Sequence, residues 1–334
     1  MKLFRLSRAL VMRAFLLVMA LAVIASTPPP TIPSSLTVNL AAHRPMQALY
    51  QIEAQVAQLG WTADLAKSAG DIWEALDDLP RAVSYWEIAV KLQPDDASLT
   101  RRLAQAYLDL QHWSQAVITL SKLLKLNDDN WTHFQLGILQ SVLDSSSAVE
   151  HLQLAAREPQ YQSIVSQLMP VLKEPSDIIR AMQIGVVLAG AKLWPAAEYV
   201  FQYAASLSPK LPVALAYTGL ARDQQGKNGR PQIEQAVALA PNNAQVRYLQ
   251  GLHLHLVGDE DGSLIALQQA TVLDPLNPAF AAELATTYNR VGDSVKAEYW
   301  YKAAVTLSNN DPRFQELLAT FYRQPSVSIV TATP

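Results

Sequence analysis

From about residue 45 to residue 322, apolar side chains return at intervals of three and four, and no Val/Ile/Thr-rich stretch alternates apolar with polar positions. A 3.6-residue period without a two-residue one predicts an all-α chain, one helix after another. Two stretches upstream of residue 45 depart from the pattern. Residues 14–25 are an unbroken apolar run of 12, or 17 if it is counted from Ala9 through Arg13. Residues 27–41 carry four prolines among Ser and Thr with little periodicity, the composition of an extended spacer.

The helical stretch repeats itself. Gly70 is followed by Ala82, Ala89 and Pro94 at steps of twelve, seven and five residues, and the steps recur at Gly185, Ala197, Ala204, Pro209 and at Gly251, Ser263, Ala270, Pro275. Ala104, Ala116, Leu123, Asp128 and Ala285, Ala297, Ala304, Asn309 keep the steps with other residues at the end. Gly137, Ala148, Ala155, Gln160 is one residue short in its first step, and Gly219, Gly229, Ala236, Pro241 is two short. Small residues at such points let two antiparallel helices cross closely, and the proline ends the second helix of each pair. Bulkier residues flank them: Trp73, Tyr107 and Tyr288 three after the first small residue, and Trp86, Leu120, Phe201, Leu267 and Tyr301 four after the second.

This order of small, aromatic, Ala, bulky, Ala and Pro on a 34-residue period resembles the tetratricopeptide repeat across residues 63–311. The intervals between first small residues are 34, 33, 48, 34, 32 and 34, so one segment interrupts the series. The resemblance implies a right-handed superhelical solenoid of helical hairpins with protein or peptide partners and no catalysis. The tryptophan expected near the start of each unit is missing from most copies. The organisation expected is a signal peptide or membrane anchor at 1–26, a Pro-rich spacer at 27–44, an N-terminal capping helix at 45–62 and units 1–3 at 63–157. An inserted helix at 158–177, units 4–7 at 178–311, a C-terminal capping helix at 312–323 and a disordered tail at 324–334 complete it.

Lys2, Arg5, Arg8 and Arg13 precede the apolar run with no acid among them, which marks the segment as an export signal. The run is shorter than the roughly 20 residues that span a bilayer. A signal cleaved after Ala25 and an uncleaved anchor with a snorkelling Arg13 both fit. Either places the repeats on the extracytoplasmic side, tethered to the membrane or released.

Charge and cysteine content narrow the chemistry. Charged residues are 16% of the chain, net charge is -3, and 26 basic residues are interspersed with 29 acidic ones, so no basic face exists for nucleic acid. Without cysteine there are no disulfides, thiolate nucleophiles or Cys-held zinc. His253 and His255, two apart on one helix, point away from each other, and His112, His133 and His151 lack the spacing of a ligand set. The acidic clusters at Asp128–Asp129 and Asp259–Asp261 lack the rest of a calcium loop. No phosphate loop or nucleophile motif occurs. The expectation is therefore a protein with no metal, no cofactor and no enzymatic site.

In the repeat that this chain resembles, first helices line a concave groove. Positions two, five and nine of each unit place Trp131, Phe134, Ile138, Ile179, Met182, Val186, Val213, Ala216, Leu220, Tyr248 and Leu252 there, with charged residues at the N-terminal end. An apolar stretch of this extent is a candidate docking surface for a partner segment. Two arrangements would close it: the inserted helix around Tyr161 lying in the groove, or tighter winding that makes the same residues core. Some members of the family grip a C-terminal carboxylate with Lys, Asn and Arg; here only Lys67 fits, and Asp71, Arg102 and Gln135 do not. The function read from the sequence is an extracytoplasmic interaction scaffold or adaptor. The alternatives are an accessory subunit of an envelope assembly, secretion or transport complex that is stable only with its partner, and, more remotely, an enzyme whose site carries no known motif.

Overall fold

A computed structural model describes residues 45–143 and 145–323, and its regular elements are seventeen helices without a strand among the described residues. Helix α1 (Pro45–Leu59) comes first. Three hairpins follow: α2 (Ala63–Ala75) with α3 (Leu79–Leu92), α4 (Ala97–Asp109) with α5 (Trp113–Leu126), and α6 (Asn130–Gln140) with α7 (Ser145–Ala155). A single helix, α8 (Pro159–Val171), stands between these and four more hairpins. Those are α9 (Asp177–Gly190) with α10 (Trp194–Leu207), α11 (Pro212–Asp223) with α12 (Arg230–Leu239), α13 (Ala244–Leu256) with α14 (Glu260–Leu273), and α15 (Pro278–Arg290) with α16 (Ser294–Leu307); α17 (Pro312–Arg323) ends the described chain. The chain divides into two compact units at Leu99 and Thr100. The export segment, spacer and tail expected from the sequence lie outside the described residues. No helix among the described residues is long and apolar enough to cross a membrane.

The spacing of small residues has a direct steric cause. A Cβ built on Gly70 would stand 2.4 Å from the Trp86 ring, on Gly185 2.4 Å from the Phe201 ring, and on Gly251 2.6 Å from the Leu267 side chain. Each pair is sixteen residues apart, so the bulky residue of the second helix seats its side chain on the bare backbone of the first. In the two shortened copies the partner moves closer in sequence by the same one or two residues: Gly137 meets Leu152, and Gly219 meets Ile233. The shortest copy also brings Gly229 against the Gly219 carbonyl oxygen, only 2.0 Å from where a Cβ would be. Ala82, Ala89, Ala104, Ala116, Ala148, Ala155, Ala197, Ala204, Ala236, Ala270, Ala285, Ala297 and Ala304 are all at most 1% exposed. Pro94, Pro209, Pro241 and Pro275 are exposed, each two residues beyond the end of its helix.

The turn inside six of the seven hairpins has a recurrent geometry. Seven residues after the first small position, the backbone enters the left-handed region at Asp77, Gln111, Lys192, Gly226, Gly258 and Gly292, with φ between 59° and 84°. A left-handed residue there closes the first helix and starts the second without a long loop. Glycine adopts it freely; at Asp77, Gln111 and Lys192 it costs about 1 kcal/mol or more, offset by packing around the turn. Second helices then start on side-chain caps such as Asp78, Asp259 and Asp293, each accepting a backbone N–H three residues on.

Within residues 100–323 the largest apolar core runs from Phe134 to Ala221 and is built around α6 to α11. Smaller cores join α11–α13 and α14–α17. Residues 45–99 have their own, formed by Ala48, Leu49, Ile52, Leu65, Ala69 and Ile72 with Trp61, Trp73 and Tyr85 packed against it.

Candidate partner-binding surface

Helix α8 interrupts the hairpins because Ile164, Val165 and Leu168 fall at one, two and five places on a single face and are buried. The same helix carries Tyr161, whose ring stacks on Phe134 of α6 with centroids 4.4 Å apart and planes inclined by 15°. Phe134 and Ile138, expected to line an open groove, are 5% and 2% exposed and belong to the core. Leu220 and Ala216 are likewise buried, at 8% and 0%. The physical reason is aromatic filling: Tyr161 covers α6, Tyr217 stacks on Phe201 at 4.7 Å, and Tyr248 stacks on Phe280 at 4.8 Å. Tyr248 and Leu252 are half-buried in consequence. Trp131 is also half-buried, with the Arg101 guanidinium 4.2 Å above its ring while that arginine donates to Asp129 at 3.1 Å.

What stays open is one stripe on α9. Ile179 and Val186 are 48% and 47% exposed, with half-buried Met182 between them. The spacing 179, 182, 186, 190 keeps them on one helical face that ends at Gly190. Gly190 and Ala191 are in turn a wall of a cleft of about 520 Å³ whose other lining includes Phe134, Tyr161, Ile164, Gln167 and Leu193. Burial, followed by the charge of Glu158, pushes the Tyr161 hydroxyl above its ordinary pKa, so the ring faces the cleft as a neutral phenol.

Next to this surface lies a polar cluster that the sequence pattern gave no sign of. Glu198 of α10 is 1% exposed. It accepts hydrogen bonds from Gln111 Nε2 at 2.7 Å, Gln225 Nε2 at 2.9 Å, Gln202 Nε2 at 3.0 Å and Arg222 Nη1 at 2.9 Å, with Lys227 Nζ at 3.3 Å. Burial alone would raise this carboxyl, but the bonds from Gln111 and Gln225 and the Lys227 charge bring it below the usual range. Beside it, Trp113 and Tyr199 rings meet at 4.9 Å. Both contacts join the α4–α5 turn to α10, across 87 residues in the case of Gln111 and Glu198. The left-handed backbone of Gln111 aims its amide at that carboxylate.

The histidines find local partners. His133 Nδ1 and His151 Nδ1 are 2.7 Å apart, and His133 Nε2 lies 2.8 Å from Asp128. Burial and the neighbouring His133 lower the His151 pKa. His253 Nδ1 is 2.6 Å from Asp223, both almost fully buried, while His255 bonds Glu260. No group of three or more metal-binding side chains occurs among the described residues. Asp71, one of the positions compared with the carboxylate clamp, accepts from Trp86 Nε1 at 3.0 Å.

A family model for the tetratricopeptide repeat matches residues 69–130. No curated protein matches the sequence. Among solved structures, a tetratricopeptide repeat protein from Parabacteroides merdae is 14% identical, with 76% of this chain and 96% of that one covered at a TM-score of 0.36. A thermophilic protein of the same repeat from Thermus thermophilus is 18% identical, covering 58% and 99% at a TM-score of 0.40. The Cut9–Hcn1 hetero-tetramer of the APC/C is 13% identical, covering 83% and 52% at a TM-score of 0.38. Overlap this loose adds nothing to the assignment, which rests on the model match together with hairpins recurring on the 34-residue spacing and locked by glycine against a bulky partner. By these features residues 69–130 are tetratricopeptide repeats, and hairpins of the same construction continue through residue 307.

Proposed function

We propose that the protein is a non-catalytic scaffold on the extracytoplasmic side of a membrane, and that it binds an apolar segment of a partner protein along α9. The observation that carries the reading is the stripe Ile179, Met182, Val186, open at both ends of α9 and leading into the cleft under Tyr161. On α6, α11 and α13 the positions that would face a partner are buried or covered by the protein's own aromatic rings. Large aliphatic residues lined up on an exposed helix face cost solvation and mark interaction sites. A helical partner with apolar residues at three- and four-residue spacing, or an extended one, fits such a stripe. The export reading rests on the basic N-terminal flank and the apolar run of residues 14–25.

Replacing Ile179 and Val186 together by Asp tests the surface, because both side chains are half-exposed and the core beneath them stays intact. With a photoreactive residue at Met182 of the full chain in its native cells, a discrete cross-linked species is expected and the double variant loses it. An unchanged cross-linking pattern in that variant rejects the site. For localisation, an alkaline phosphatase fused after Pro334 is active only if exported; an inactive fusion with full-length protein present rejects the extracytoplasmic reading.

A further inference from the structure

The outer face of α14 carries apolar side chains that no core of the protein uses. Ile265, Val272 and Leu276 follow one another at steps of seven and four, which keeps them on one line that leaves the helix into the next turn. On α16, Val295 and Tyr299 make a second such line, and all five side chains are between 57% and 80% exposed. Tyr288 of α15 joins the two: Gln268 Nε2 donates to its hydroxyl at 2.7 Å, and the Lys296 ammonium stands 5.2 Å from its ring. Beside the α14 line runs an open groove of about 400 Å³, walled on the other side by Pro241, Asn242 and Arg247. Together the five side chains present on the order of 500 Å² of apolar surface, more than singly scattered surface residues supply.

The α14 line is also symmetric about its own middle. Ile265 and Val272 lie at equal distances from a point between Gln268 and Gln269, and the two ends carry opposite charge. Asp261, one turn before Ile265, is exposed and meets no cation among the described residues. Helices α13 and α14 run antiparallel within their hairpin, so Arg247, near the start of α13, stands by the end of α14. Its guanidinium donates to the Pro241 carbonyl at 2.7 Å and to Gln250 Oε1 at 3.0 Å and reaches no carboxylate among the described residues.

We propose that this face seats a second copy of the chain, the two α14 helices packing antiparallel about a twofold axis between Gln268 and Gln269. Ile265 of each copy then rests on Val272 of the other, and Asp261 of each comes to the end of the other's α14, where Arg247 stands. Gln269 falls beside the axis and meets its own counterpart; an amide carries both donor and acceptor, so it bonds a copy of itself. Antiparallel helix dipoles attract, and an isologous contact closes as a dimer without propagating. The area agrees. Twice the apolar surface of one face, with the glutamines and the charged rim added, reaches the roughly 1,200–2,000 Å² of a stable interface. A foreign helix matches the apolar line alone, whereas a second copy inverts both the line and the charges. The surface lies on a different hairpin from the α9 stripe, and neither reading depends on the other.

The chain has no cysteine, so a single introduced thiol reports alone. In the purified full chain, Gln269→Cys is expected to form an interchain disulfide in most molecules under mild oxidation. Asp261→Cys is expected to form almost none, because the two thiols stand about 22 Å apart along the helix axis. Ile265→Asp and Val272→Asp, added together to Gln269→Cys, are expected to lower the disulfide at least tenfold with unchanged circular dichroism, since both side chains are mostly exposed. Arg247→Glu is expected to lower it several-fold and Asp261→Arg, added to that variant, to restore it, a recovery that loss of folding cannot imitate. No disulfide at Gln269→Cys overturns the proposal, and so do equal yields at Gln269→Cys and Asp261→Cys. A yield that the aspartate pair leaves unchanged, or a charge reversal without rescue, overturns it as well.

Discussion

Hairpins α13–α14 and α15–α16 keep the 34-residue spacing, whereas the stretch from α6 to α12 contains both shortened copies and the inserted helix. The regular pair is held by apolar locks within each hairpin: Gly251 under Leu267, and Ala285 in one core with Tyr301. In the irregular stretch Gly137 and Gly219 keep their locks, but polar groups take a large share of the remainder. Glu198 gathers four hydrogen bonds and a lysine, Asp223 pairs with His253, and His133 pairs with His151. The lesson is that a repeat broken in register recovers cohesion from directional contacts, which tolerate irregular geometry only at a few specified atoms. The α9 stripe stays uncovered on a hairpin that keeps the regular steps, directly after the inserted helix.

The largest expected effect comes from the shortest hairpin. Gly229→Ala sets a methyl 2.0 Å from a backbone oxygen that cannot turn aside, and a loss of about 3 kcal/mol is expected in urea unfolding. Glu198→Ala removes the acceptor of the polar cluster and is expected to cost about 2 kcal/mol; Arg222 and Lys227 are 29% and 36% exposed and regain water, which keeps the loss below that of a fully buried pair. In the regular part, Gly251→Ala meets the Leu267 side chain at 2.6 Å while the nearest backbone atom, the Ser263 oxygen, is at an ordinary 3.4 Å, and a loss of about 1–2 kcal/mol is expected. If Gly251→Ala equals or exceeds Gly229→Ala, the contrast between the two regions is wrong.

The smallest effect is a response to pH. His151 is held below its ordinary value of 6.5, so the unfolded chain binds its proton first, and the stability that neutral His151 confers is complete above pH 6.5 and lost as the pH falls below it. Glu198 is held below 4.5, so its contribution is present above pH 4.5 and disappears under that value. The melting temperature should decline in two stages on acidification, with His151→Gln removing the first and Glu198→Gln the second. A single stage that neither substitution alters would contradict both assignments.

The hairpins could be read in the sequence because their cause is steric and local: Gly70 and Trp86 are sixteen residues apart, and no distant residue decides whether they fit. The inserted helix was legible for a similar reason, since Ile164, Val165 and Leu168 declare one apolar face. Whether Tyr161 would cover Phe134 was left open, because ring stacking depends on where α8 lies rather than on its own pattern. The left-handed turns were half visible. Gly226, Gly258 and Gly292 advertise them, but Asp77, Gln111 and Lys192 adopt the same conformation without a glycine. Nothing marked Glu198. An acid on a second helix reads as solvated surface until Gln111, Arg222, Gln225 and Lys227 arrive from 24 to 87 residues away.

That 87-residue separation has a bearing on how the protein acquires its structure. A hairpin array ordinarily assembles from neighbours alone and can start anywhere along its length. Here the α4–α5 turn has to wait for α10 before its amide and its Trp113 ring find their places, and the intervening hairpin with α8 must be gathered in first. The loop this closes raises the mean sequence distance between contacts and slows the last stage of assembly. A chain made from its N-terminus displays the unfinished α4–α5 edge until residue 198 has emerged.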